Sequence, residues 1–140
     1  MIGRRAMVGV AVMSYVAACV TPVLRFDQIE NAMRPPQIMK GYEVLLLGWQ
    51  GVFIGNFAWM ANVLLLASAL LLLTSRVRAA SICAAIAFVV ALQTLTLFGA
   101  RVIADEGGVT HMTMSRLYVG FYLWIASIAV VLAGSLWRDG

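Results

Sequence analysis

The chain has 140 residues, 63% of them hydrophobic and 11% charged, with a mean hydropathy of +0.94. Soluble domains carry about a quarter charged residues, so this composition argues against a water-soluble globule and predicts one integral membrane domain over residues 1–140. The formal net charge of +4 would suggest nucleic acid in a soluble protein. Here the basic residues fall in short clusters between apolar runs, as the positive-inside bias requires, and nucleic acid is not an expected partner.

In chain order, Met1-Ile2-Gly3-Arg4-Arg5 leads into an apolar run, and Val16-Ala17-Ala18-Cys19 resembles a lipoprotein cleavage box. The apolar run continues past Cys19 to Leu24, so residues 6–24 read as a retained first span. In the loop 25–42, Asp27-Gln28-Ile29-Glu30 fits a capping box, and Glu30 and Arg34 are four apart. A two-turn surface helix at 27–33 is expected, with Ile29 and Met33 on one face, and Pro35-Pro36 forbids its continuation.

From Tyr42 to Thr74 a single helix would run about 50 Å, against a hydrocarbon thickness of about 30 Å. Gly48, Gly51 and Gly55 mark where a break is cheapest. The predicted solution is a short interfacial helix at about 42–52 followed by a span at 55–74; strong tilt is the alternative. A basic turn at Ser75–Arg78 leads to a span at 79–98. A second loop, 99–116, carries the turn signal Asp105-Glu106-Gly107-Gly108, and residues 117–137 form the last span. The predicted fold class is thus an all-α, four-helix membrane bundle.

None of the four spans contains Asp, Glu, Lys, Arg or His. Arg4, Arg5, Arg76, Arg78 and Arg138 fall on one side, and Arg25, Arg34, Lys40, Arg101 and Arg116 on the other, diluted among nearly all the acids. Charge density places both termini on the cytoplasmic face of a bacterial inner membrane. Cys19 and Cys83 differ in predicted depth by roughly 14 Å at 1.5 Å per residue, too far for a disulfide, which needs Cα atoms within about 7 Å.

"FAWMANVLLLASAL" (57–70) aligns with "YLWIASIAVVLAGS" (122–135), which suggests two hairpins repeated in parallel. Alternatively, any span entered from one side acquires an aromatic belt and small packing residues. The blocks "LLLGWQG", "FAWMAN" and "GFYLWIAS" give the chain a resemblance to small bacterial membrane proteins of uncharacterised function, with the same block spacing. That group often has proline after this Asn, where Val63 stands here. The resemblance implies a family and no activity.

Candidate chemistry is sparse. Asn62 and Gln93 fall in one depth layer, and an interhelical hydrogen bond between them is expected; a polar site with Asn56, Ser127 and Thr96 is the alternative. Trp49, Trp59, Tyr122, Trp124 and Trp137 are the predicted interfacial anchors. His111, Met112 and Met114 are weak candidates for Cu(I) ligands. His111 is the only histidine, so a bis-histidine haem within one chain is excluded. Asp105 and Glu106 read as solvated charges. Spans without ionisable residues argue against a coupled transporter. Gly120 and Gly134, with Ala126 and Ala133, form a smooth face for helix packing or self-association.

These readings converge on a small accessory or scaffolding subunit with no catalytic residues and no cofactor. Its partners would be the lipid bilayer and either a larger membrane complex or further copies of the chain. An oligomeric passive channel or small-molecule carrier lined by Asn56, Asn62 and Gln93 is the alternative, and periplasmic copper handling is a second.

Overall fold

The computed structural model describes residues 3–30, 34–104 and 107–137. Helix α1 spans Arg4–Val20. It stops because the Thr21 backbone N–H and hydroxyl both donate to the Ala17 carbonyl, at 3.2 and 2.8 Å, and Pro22 has no N–H with which to continue. Strand β1 (Pro22–Gln28) follows at once, and β2 (Gln37–Lys40) returns beside it. Helix α2 (Gly41–Leu47) runs into a 3-10 helix at Gly48–Ile54, which ends on Gly55 at φ +74°. That left-handed conformation is one glycine adopts without strain.

Helix α3 (Met60–Leu73) and helix α4 (Val77–Leu92) are joined by a tight turn. Ser75 stands at φ +61°, Arg76 N–H donates to the Leu71 carbonyl at 2.9 Å, and Ser75 N–H donates to that of Leu72 at 3.2 Å. This is the double closure of a Schellman motif, completed here without the usual glycine. A 3-10 helix at Gln93–Phe98 extends α4; strands β3 (Val102–Ile103) and β4 (His111–Leu117) and helix α5 (Val119–Leu136) complete the chain.

Alanines organise the helix packing. Ala80, Ala84, Ala87 and Ala91 recur at helical spacing on α4 and are fully buried, so α3 and α5 both approach it closely. The opposite face of α4 exposes Ile82, Ile86 and Val89. Two helices are long and apolar enough to cross a membrane, Val77–Phe98 and Val119–Leu136; Met60–Leu73 is apolar but shorter. Only 22% and 39% of the most apolar stretches of those two helices are buried, unlike the core helices of a soluble protein.

The four-stranded antiparallel sheet, in the order β2-β1-β4-β3, overturns the all-α prediction. The expected four-helix bundle fails a second test, because among the described residues two helices rather than four meet the length and hydropathy of a membrane span. The surface helix expected at 27–33 is replaced at its start by β1. Leu24 and Phe26 face inward and are buried, while Arg25 and Asp27 face out and pair at 3.0 Å. Met33, placed on that helix, lies outside the described residues, as do Asp105 and Glu106 of the predicted turn and Arg138 of the basic cluster.

The parallel repeat fails as well. It would match β1 with β3 and β2 with β4, yet β1 and β4 are the inner strands and β2 and β3 the edges. A repeat related by a two-fold axis along the membrane normal would put β1 beside β3, whereas β1 pairs with β4. Gly120 and Gly134 serve internal packing. A Cβ on Gly120 would lie 2.7 Å from the Pro22 carbonyl oxygen, and one on Gly134 would lie 3.0 Å from the Met7 sulfur. Ala126 and Ala133 point outward.

Candidate functional site

The inner face of the sheet carries Leu24, Phe26, Met112 and Met114, and with Val23 and Phe121 these form a small core distinct from the one between the helices. Between this roof and the helix ends lies a cavity of about 660 Å³. Its far end is set by Tyr15 and Cys19 on α1, Trp59 and Asn62 on α3, and Phe121 and Trp124 on α5. One wall is α2 with the 3-10 helix at 48–54; Thr94 and Leu97 supply another. Among the described residues, no Asp, Glu, Lys, Arg or His lines it.

Asn62 joins three helices. Its Oδ1 accepts from the Tyr15 hydroxyl at 3.1 Å and from Trp124 Nε1 at 2.9 Å, and its Nδ2 donates to the Trp59 carbonyl at 3.0 Å. The expected bond between Asn62 and Gln93 does not form. The tight turn at 74–76 fixes the register of α3 against α4, and Gln93 lies several residues farther from that turn than Asn62, level with 55–57. Its side chain holds the backbone after the 48–54 turn instead: Oε1 accepts from Phe57 N–H at 2.8 Å and Nε2 donates to the Gly55 carbonyl at 2.9 Å. Gln93→Ala loses two hydrogen bonds worth about 1 kcal/mol each and is expected to lower the thermal midpoint modestly, which a detergent melt would show.

Asn56 is buried, donating to the Gln93 carbonyl at 3.0 Å and Thr96 Oγ1 at 3.2 Å and accepting from Ala58 N–H at 3.1 Å. Ser127 is fully buried and donates to the Trp124 carbonyl one turn back, at 2.6 Å. Of the five expected anchors, Trp49, Tyr122 and Trp137 are exposed. Trp59 and Trp124 are half-buried structural residues, and Trp59 Nε1 donates to the Leu45 carbonyl at 2.7 Å. Three of the four tryptophans, Trp49, Trp59 and Trp124, line the cavity. Tyr15 escaped the sequence reading because nothing local marks a lone tyrosine in an apolar run as facing a cavity.

His111 is separated from the methionines by the strand's period of two. Met112 lines the cavity and Met114 is buried, both on the inner face. His111 turns the other way: its backbone N–H donates to Glu30 Oε2 at 2.8 Å and its Nδ1 lies 2.9 Å from Glu30 Oε1. No group of three or more His, Cys, Asp or Glu that could hold a metal occurs among the described residues. Both cysteines are free.

Glu30 is held below the ordinary glutamate range, first by the His111 backbone N–H and then by its ring. A depressed folded value means that the tie contributes above the ordinary glutamate range and is lost as pH falls through the lowered one. Hydrogen-exchange protection of the His111 amide is therefore expected to fall in acid, and Glu30→Gln to remove most of that dependence. Asp27 is lowered in the same direction by the Ser115 hydroxyl and by Arg25.

No family model, curated protein or solved structure matches the chain. What the site does must come from its own geometry. The cavity falls within the roughly 300–1,000 Å³ of small-molecule sites and has their usual make-up, apolar and aromatic walls with a few placed polar groups. Among the described lining residues the titratable side chains are Tyr15 and Cys19.

Proposed function

We propose that this chain is a small inner-membrane protein that binds a small apolar molecule beneath its sheet, as an accessory or carrier component rather than a catalyst. The observation that carries this reading is the cavity, about 660 Å³ with aromatic walls and no formal charge among the described lining residues. Burying an anion or cation there without a partner would cost several kcal/mol, so uncharged occupants are favoured.

Membrane embedding is supported by α4 and α5, long and apolar enough to cross yet presenting Ile82, Ile86, Val89 and Val119 outward. Arg4, Arg5, Arg76 and Arg78 gather at the end away from the sheet, which favours a cytoplasmic position for that end. The sheet and cavity then lie on the outer side. A polar path through Asn56, Asn62 and Gln93 has less support, because internal hydrogen bonds hold all three side chains in place.

Tryptophan emission tests the reading. In a Trp49→Phe/Trp137→Phe protein only the cavity residues Trp59 and Trp124 remain. Titrating it in nanodiscs with a brominated alkyl alcohol is expected to give saturable quenching. Ala58→Leu, which adds bulk at a buried lining position, is expected to weaken that binding by about tenfold or more, equivalent to ~1.4 kcal/mol. Unsaturable quenching, equal in both proteins, would count against a binding site.

A further inference from the structure

The cavity has an inner end and a mouth that differ in character. Leu24, Ala58 and Phe121, at the inner end, are 4–6% exposed. The exposed part of the lining is mostly apolar: Phe53 is 80% exposed, Ile103 55%, Leu47 49% and Trp49 48%, with Gln37 and Gln50 its polar members. Trp49 and Phe53 pack edge to face with ring centroids 6.1 Å apart. A mouth that opened to water would favour polar rim residues; aromatic side chains at this level suit the boundary between headgroups and hydrocarbon.

The polar groups inside also have unused capacity. Asn62 Nδ2 carries two hydrogens, of which one goes to the Trp59 carbonyl. Tyr15 donates its hydroxyl hydrogen to Asn62 and keeps its oxygen lone pairs. Thr94 is 5% exposed, lines the cavity, and its hydroxyl bonds to no described residue. These groups can donate to and accept from a hydroxyl or carbonyl, whereas a phosphate or carboxylate would meet no cation.

We infer that the cavity is loaded sideways from the leaflet nearest the sheet, through the mouth edged by Trp49, Phe53 and Ile103. The occupant is a neutral lipid whose hydroxyl or carbonyl head lies against Asn62, Tyr15 and Thr94. The inference rests on the binding reading above and adds to it the class of ligand and its route.

Cys19 lines the cavity and serves as a reporter. In a Cys83→Ser protein in nanodiscs, the rate of Cys19 alkylation by N-ethylmaleimide is measured with diacylglycerol, with phosphatidic acid of the same chains, or with 2-naphthol. Diacylglycerol is expected to slow alkylation about tenfold at ten times its dissociation constant, where about a tenth of the sites are free. Phosphatidic acid is expected to have little effect. Phe53→Glu is expected to lengthen the time taken to reach protection.

Equal protection by phosphatidic acid would overturn the neutral class, and protection by 2-naphthol alone would overturn the lipid class; in both cases the binding reading stands. An unaltered loading time in Phe53→Glu would overturn the route. If none of the three compounds protects Cys19, both the inference and the binding reading fall.

Discussion

Gly41→Ala is expected to be the most damaging single-methyl change in the chain. Gly41 opens α2 where its backbone crosses the end of α1. A Cβ there would overlap the Ala18 carbonyl oxygen and lie 2.7 Å from the Cys19 Cα. Both obstacles are backbone, so no rotamer change relieves them and the two helices must part. Overpacking typically costs 1–3 kcal/mol and occasionally more, and a backbone-on-backbone clash belongs at or beyond the upper end. The roughly 1 kcal/mol that alanine gains over glycine in a helix does not offset this.

A loss of about 3 kcal/mol lowers Tm by roughly 10 °C in a domain of this size, readable in a detergent melt. Two controls separate the clash from a general effect of removing glycine. Gly9→Ala meets nothing within 4 Å and is expected to be neutral or slightly stabilising. Gly48→Ala meets only side chains, Trp59 at 3.0 Å and Val44 at 3.5 Å, and is expected to cost less than Gly41→Ala. A Gly41→Ala protein as stable as the wild type would contradict the crossing of α1 over α2.

Asn62→Leu is expected to have the second-largest effect. The substitution keeps the bulk and removes the acceptor shared by Tyr15 and Trp124. A buried donor left unpaired costs about 1–3 kcal/mol, although interhelical hydrogen bonds in membranes average only about 0.6 kcal/mol. Two donors lose one acceptor and have no described alternative, so a total of about 2–3 kcal/mol is expected, more than for Gln93→Ala. A double-mutant cycle isolates the coupling. Tyr15→Phe should cost less in the Asn62→Leu background than alone, by about 1 kcal/mol. Strict additivity would show that the Tyr15–Asn62 bond contributes nothing.

Hydropathy located the helices well, to within a few residues of α4 and α5, because a long uncharged run has few alternatives. It failed where two signals overlapped. Pro22–Leu24 is apolar enough to extend the first span, yet Leu24 and Phe26 alternate with Arg25 and Asp27 as a half-buried strand requires. In "HMTMSRL" the same alternation places Met112 and Met114 on one face. A local capping pattern at 27–30 and a metal-like grouping at 111–114 both outweighed that period-two signal. Each strand is at most seven residues long, and the pairing that fixes it, β1 with β4, joins positions about ninety residues apart.

The site was legible in part. Asn62 was singled out because a polar residue in a span needs a partner, but the partner could not be chosen by depth. Counting inward from the outer span ends placed Gln93 level with Asn62, but α3 begins only at Met60 and the turn at 74–76 sets a different register. Trp124 was read as an interfacial anchor and turned out to be one of the bonds holding Asn62. The cavity itself has no sequence signature, since its walls come from α1, α2, α3, α5 and all four strands.

Native mass spectrometry of the intact chain released from nanodiscs tests the central claim most directly. The wild type is predicted to carry a single bound small molecule that survives gentle activation, and Ala58→Leu to carry much less of it. Bare chain mass in both proteins, under conditions where lipid binding to other membrane proteins survives, would contradict the account.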